Sequence, residues 1–165
     1  MSDGPDLPDL YQEVILDHGR RPRNRRTMAD YTHQARGENP LCGDQVVVFL
    51  KTDHEGVIRD AAFDGQNCAI ATASASLMTE VLVGKTTAQA KRLSDRFQSL
   101  ASGGVEAPWD GMEDERERLN LLSVLRDHPA RLSCALLAWH ALEAALDNPG
   151  ERVSNESRNN QAKGE

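Results

Sequence analysis

Four residues carry the chemistry this chain can offer. Cys42 and Asp44 stand in NPLCGDQVVVFL, Cys68 in FDGQNCAIATAS, and Cys134 in HPARLSCALLAWHALEAAL. Gly43 separates the first thiol from the carboxylate, and a residue without a Cβ lets the backbone turn both neighbours toward one point. Gly65 does similar work ahead of Cys68. A cysteine near a helix N-terminus feels the positive end of the dipole, which favours thiolate, the nucleophilic and metal-binding form. Three thiolates and one carboxylate make a tetrahedral set suited to zinc, with Zn–S bonds near ~2.3 Å. Such a site keeps a net double negative charge, costly to bury without compensation. Arg131 precedes Cys134 by one helical turn and is a natural counter-charge. Structural zinc sites usually close with cysteine and histidine. A carboxylate is a harder ligand that yields more readily, which suggests a site meant to open or one meant for a different metal centre. There is no C-x-x-C pair, so spacing alone leaves two readings open: one shared metal site, or three separate core thiols.

The elements that must position these residues follow from periodicity. Leu10 and Val14 share a helical face, with Asp9 as N-cap and Gly19 as stop. GRRPRNRR, with five arginines, follows as a solvated loop or a docking patch for an acidic partner. Gln45 to Thr52 and Val57 to Asp64 read as strands of an antiparallel hairpin across the DHEG turn, and a third short strand is predicted near Gln66 to Ala69. Helices are predicted from Ala69 to Gly84, from Thr87 to Leu100 and over EDERERLNLLSVLRD. Pro129 opens a last helix that is apolar on two faces and therefore central. His18 is expected at a helix end, where its charged form favours the negative dipole end. Residues 1–8 read as a flexible N-terminus, 9–147 as one domain, and 148–165 as a disordered polar tail.

Composition narrows the function. The chain has 165 residues, 27% charged and 39% hydrophobic, with a net charge of −7. The acidic balance argues against general nucleic-acid binding. MSDGPDLPDLY lacks the basic and apolar regions of a secretion signal, and no apolar stretch is long enough to span a bilayer. A cytoplasmic protein with reduced thiols is expected.

At these residues the chain resembles the U-type iron–sulfur assembly family, IscU and SufU. The matching stretches are LYQEVILDHGRRPRN, NPLCGD, FDGQNCAIATASASLM and HPARLSCALLAWHALEAAL, each cysteine in its own matching context. The resemblance implies an α+β fold, a three-stranded antiparallel sheet with helices packed on one face. It implies that Cys42, Asp44, Cys68 and Cys134 hold zinc or, alternatively, iron or a [2Fe–2S] cluster. It further implies a pyridoxal-phosphate cysteine desulfurase as partner, with downstream scaffolds or apo-proteins as recipients. The IscU branch carries histidine immediately before the third cysteine, where this chain has Ser133. That difference, the long segment around Ala101 to Glu117 and Arg131 all resemble the SufU branch. In that branch a zinc protein accepts sulfur from its desulfurase, and Cys42 matches the accepting cysteine. A histidine of the desulfurase would displace Cys42 from zinc, freeing it to attack the persulfide. Gly19, where relatives commonly carry tyrosine, implies a local loop effect. The competing class, a cysteine hydrolase, needs a histidine within hydrogen-bond reach of Cys42. Of His18, His33, His54, His128 and His140, none has a spacing that suggests it.

Overall fold

The computed structural model describes residues 9–40, 43–104, 108–147 and 152–154, with side chains from Glu13 onward and not in the last segment. Three strands, β1 (His33–Asn39), β2 (Asp44–Thr52) and β3 (Ile58–Gln66), form an antiparallel sheet with β2 central. The hydrophobic alternation of β2 sends Val46, Val48 and Leu50 into the main core. Phe49 and Val47 point the other way, into a small cluster with Met28 and Ala62. The β2–β3 hairpin matches expectation, but β3 runs on through Gln66, and no separate strand follows it. The third strand is β1, in HQARGEN, where no strand was expected. Its inward positions Ala35, Gly37 and Asn39 are small or polar, so no apolar period marks it. A Cβ on Gly37 would stand 3.2 Å from Leu137 Cδ1 and 3.4 Å from Ala141 Cβ. The last helix lies almost against the strand backbone, and that closeness selects the small residues. Within the tail expected to be disordered, Arg152–Ser154 form a short β4 that pairs parallel with β1.

The helices α1 (Asp9–Arg20), α2 (Ala69–Leu82), α3 (Thr87–Ser102), α4 (Glu113–Leu119) and α5 (Pro129–Asp147) complete the fold. Between α4 and α5, Asn120–Asp127 form a 3-10 helix, so the predicted single helix over that stretch is broken in two. Pro129 opens α5 as expected. Small side chains of α2, from Ala71 to Ser76, are all buried and let α5 approach. Ser74 joins the two helices: its hydroxyl donates to Ala135 O at 2.7 Å and accepts Trp139 Nε1–H at 3.1 Å. Trp139 is fully buried and stacks on Phe97, ring centroids 4.4 Å apart. Truncating a ring so placed costs about 3–5 kcal/mol. Trp109, in the loop before α4, is also buried. No helix of the described residues is long and apolar enough to cross a membrane.

The arginine segment is built into the fold. Arg23 pairs with Asp17 at 2.6 Å, Arg26 with Asp60 at 2.6 Å, and Arg25 donates to Gly65 O at 2.8 Å. Its backbone exchanges hydrogen bonds with Phe63, Arg26 N to Phe63 O and Phe63 N to Asn24 O, covering the outer edge of β3. His18 departs from its expected role. It is buried, and its Nδ1 lies 2.7 Å from Ser76 Oγ. Burial, aided by Arg23, holds its pKa below the ordinary 6.5, against the pull of Glu80 and Asp17. The ring therefore serves as a neutral hydrogen-bonding group.

The unfolded chain thus takes up a proton at His18 at a higher pH than the folded one. Stability from this group is complete above about pH 6.5 and is lost as pH falls below it, by at most about 1.4 kcal/mol per pH unit. Thermal melts between pH 7.5 and 5.5 should show a smaller decline for His18→Gln than for wild type. Some slope should persist, because burial also lowers the pKa of His33.

Candidate metal centre

Asp44 opens β2, is only 7% exposed, and pairs in register with Asn39, the last residue of β1. One carboxylate oxygen, Oδ1, accepts the Cys68 N–H at 3.1 Å. The other, Oδ2, is buried and has no hydrogen-bond partner among the described residues. An unsatisfied buried acceptor costs about 1–3 kcal/mol, more when charged, so this oxygen is poised for a cation. Gly43, in the turn, has φ +78° and donates its N–H to Asn39 O at 2.8 Å. The left-handed conformation that glycine permits is therefore used here.

Cys68 is the N-cap of α2. Its backbone is extended, and its Sγ accepts the Ala71 N–H at 3.4 Å. The partial positive charge of the helix end faces that sulfur. Gly65 makes the approach possible. Its φ is +134°, and a Cβ there would stand 2.2 Å from Gln45 O, so no side chain fits where β3 passes β2 beside the site. Cys134 is buried in the second turn of α5.

The metal-ligating atoms of Asp44, Cys68 and Cys134 all lie within 4.8 Å of one another. Of the two readings that spacing left open, a shared site fits the geometry: a carboxylate and two cysteines from three regions converge on one point. Two soft sulfurs with one carboxylate suit zinc or iron. Cys42 lies outside the described residues. Arg131 is exposed on the first turn of α5 and makes no hydrogen bond or ion pair among the described residues. No histidine belongs to the cluster among the described residues. His128 is exposed and His18 is committed to Ser76. The sequence offered the candidate ligands Asp44, Cys68 and Cys134 but not the bond that ties Asp44 to the Cys68 backbone, since a residue pair separated by 24 positions leaves no periodic trace. Nor did it offer Asn39, which is 2% exposed and donates through Nδ2 to Ser133 Oγ at 3.0 Å.

The family model for the NifU-like N-terminal domain matches residues 10–109. The zinc-dependent sulfurtransferase SufU of Bacillus subtilis is 36% identical over 146 residues, covering 88% of this chain and 95% of the relative. The iron–sulfur cluster assembly scaffold protein IscU of Streptococcus pyogenes is also 36% identical, over 140 residues, with coverages of 85% and 84%. Among solved structures, a SUF-system assembly scaffold protein of Fervidobacterium islandicum is similar with a TM-score of 0.74 at 27% identity, covering 82% of this chain and 95% of the other.

Replacing Asp44 with asparagine keeps an acceptor for the Cys68 N–H and removes the charge. The metal-free protein should then melt at the same temperature as wild type or higher, while the rise in melting temperature on adding zinc should shrink. Paired melts with zinc and with a strong chelator check both signs.

Proposed function

Because the chain belongs to the NifU-like N-terminal domain family of iron–sulfur cluster assembly proteins, we propose that it acts there as a zinc-dependent sulfur acceptor. In this reading it takes persulfide sulfur from a pyridoxal-phosphate cysteine desulfurase. The observation that carries the reading is the donor set, Asp44, Cys68 and Cys134 gathered within 4.8 Å without a histidine. The zinc-dependent sulfurtransferase among its relatives supports it. Cys42 completes the set from the neighbouring turn. Bound zinc would keep the coordinating sulfurs as thiolates at neutral pH.

The chain's own groups then divide the work. Cys42 is the acceptor. Its thiolate attacks the terminal sulfur of the partner's persulfide, the partner's sulfur–sulfur bond breaks, and the partner sulfur leaves as thiolate while Cys42 becomes the persulfide. Pro40 and Gly43, on either side of residues 41–42, are exposed, beside a depression of about 180 Å³ lined also by Glu38 and Gln45. Asp44 fixes the turn to the Cys68 backbone and offers its second oxygen to the ion. Arg131, screened by solvent in the free protein, supplies counter-charge more strongly once a docked partner excludes water.

A second reading is a scaffold on which a [2Fe–2S] cluster is assembled and passed to apo-proteins. The scaffold relative is as similar as the sulfurtransferase one. Metal analysis of protein purified without added metal separates the two: one zinc per chain with stimulation of a desulfurase supports sulfur acceptance. Iron with acid-labile sulfide, and transfer to an apo-ferredoxin, supports the scaffold. At matched zinc occupancy, Cys42→Ala should reduce desulfurase stimulation to background. Unchanged stimulation would remove Cys42 from its role.

A further inference from the structure

The ligands reach the site from the β1–β2 turn, from the β3–α2 junction and from α5, and each pair of regions is joined by a hydrogen bond at or near a ligand. Asp44 accepts from Cys68 N–H at 3.1 Å, turn to junction. Ser74 donates to Ala135 O at 2.7 Å, α2 to α5, one residue after Cys134. The third side is Asn39 Nδ2 to Ser133 Oγ at 3.0 Å, turn to α5, one residue before Cys134. We propose that Asn39 is a positioning residue for the metal centre, its amide bond to Ser133 setting the spacing between Asp44 and Cys134. The inference rests on the metal-site reading above.

Three features single out Asn39. It is 2% exposed, so its amide is held in one place. Its register partner is Asp44, and its carbonyl closes the turn by accepting Gly43 N–H at 2.8 Å, so any shift of Asn39 moves both ends of the turn containing Cys42. Pro40 follows it and disfavours the helical backbone at Asn39, keeping it extended. With backbone and turn thus committed, the side-chain amide bridges to α5. Without it, Asp44 would remain joined to Cys68, but this hydrogen bond beside Cys134 would be lost. Partners that orient ligands from outside the coordination sphere typically contribute 10–100-fold to metal affinity.

The test uses full-length, zinc-loaded protein and follows zinc transfer to a chromogenic chelator, alongside melting of the chelator-stripped form. Asn39→Ala and Ser133→Ala should each speed zinc release about 10–100-fold. The double variant should release zinc no faster than the faster single one, because both remove the same bond. Ser133→Thr, which keeps the hydroxyl, should restore slow release, and the melting of the stripped forms should not follow the release rates. Release within twofold of wild type for Ser133→Ala, effects that multiply in the double variant, or no rescue by threonine would each overturn the proposal while leaving the metal site standing. A wild type that retains no zinc would overturn both.

Discussion

The Asp44 carboxylate accepts the Cys68 N–H with one oxygen and keeps the other buried, without a hydrogen-bond partner among the described residues. That division of labour is the constraint from which the site follows. A buried carboxylate bound on one side only is unfavourable as a purely structural device, since hydrogen-bonding groups withdrawn from water normally find partners. Here the bound oxygen secures the N-terminus of α2 to the start of β2, and the carboxylate lies near two sulfurs from separate regions. A bound cation would recover that cost and link metal occupancy to stability.

The packing behind the site is organised for close approach rather than bulk. Gly37 on β1 lies against Leu137 and Ala141, and the small residues of α2 let α5 sit near enough for Ser74 to reach the Ala135 carbonyl. Short distances between backbones leave little slack, so Cys134 is held at a set height relative to the sheet. Trp139, stacked on Phe97 and donating to Ser74, locks the same helix from its other side. The arginine-rich segment and His18 act at the opposite end of α2. Ser76 accepts Arg23 N–H and lies 2.7 Å from His18 Nδ1, joining α1 and the following loop to the helix that Cys68 caps. The segment expected as a solvated loop or a docking patch, and the His18 expected as a dipole partner, thus supply internal ties.

The candidate ligands were legible because few residue types bind metals, and a thiol and a carboxylate flanking a glycine is an unusual grouping. The long helices were legible because their apolar positions recur with a helical period. Element ends were less so. The predicted helix over 113–127 breaks into α4 and a 3-10 turn, and β1 carries no apolar alternation, because its inward residues answer to the proximity of α5 rather than to a need for hydrophobic bulk. His18 was misread for a related reason: position in a helix tells which dipole end is near, but not whether another helix covers the ring.

Residue chemistry along the chain was enough to identify the candidate ligands, the α+β class and the family resemblance, since these depend on side-chain type and local period. Folding added the convergence of Asp44, Cys68 and Cys134, the orphaned oxygen, the Asn39–Ser133 bond and the neutral His18. Each of these joins segments far apart in the chain. Their distances are set by strand register and helix packing, which no local pattern encodes.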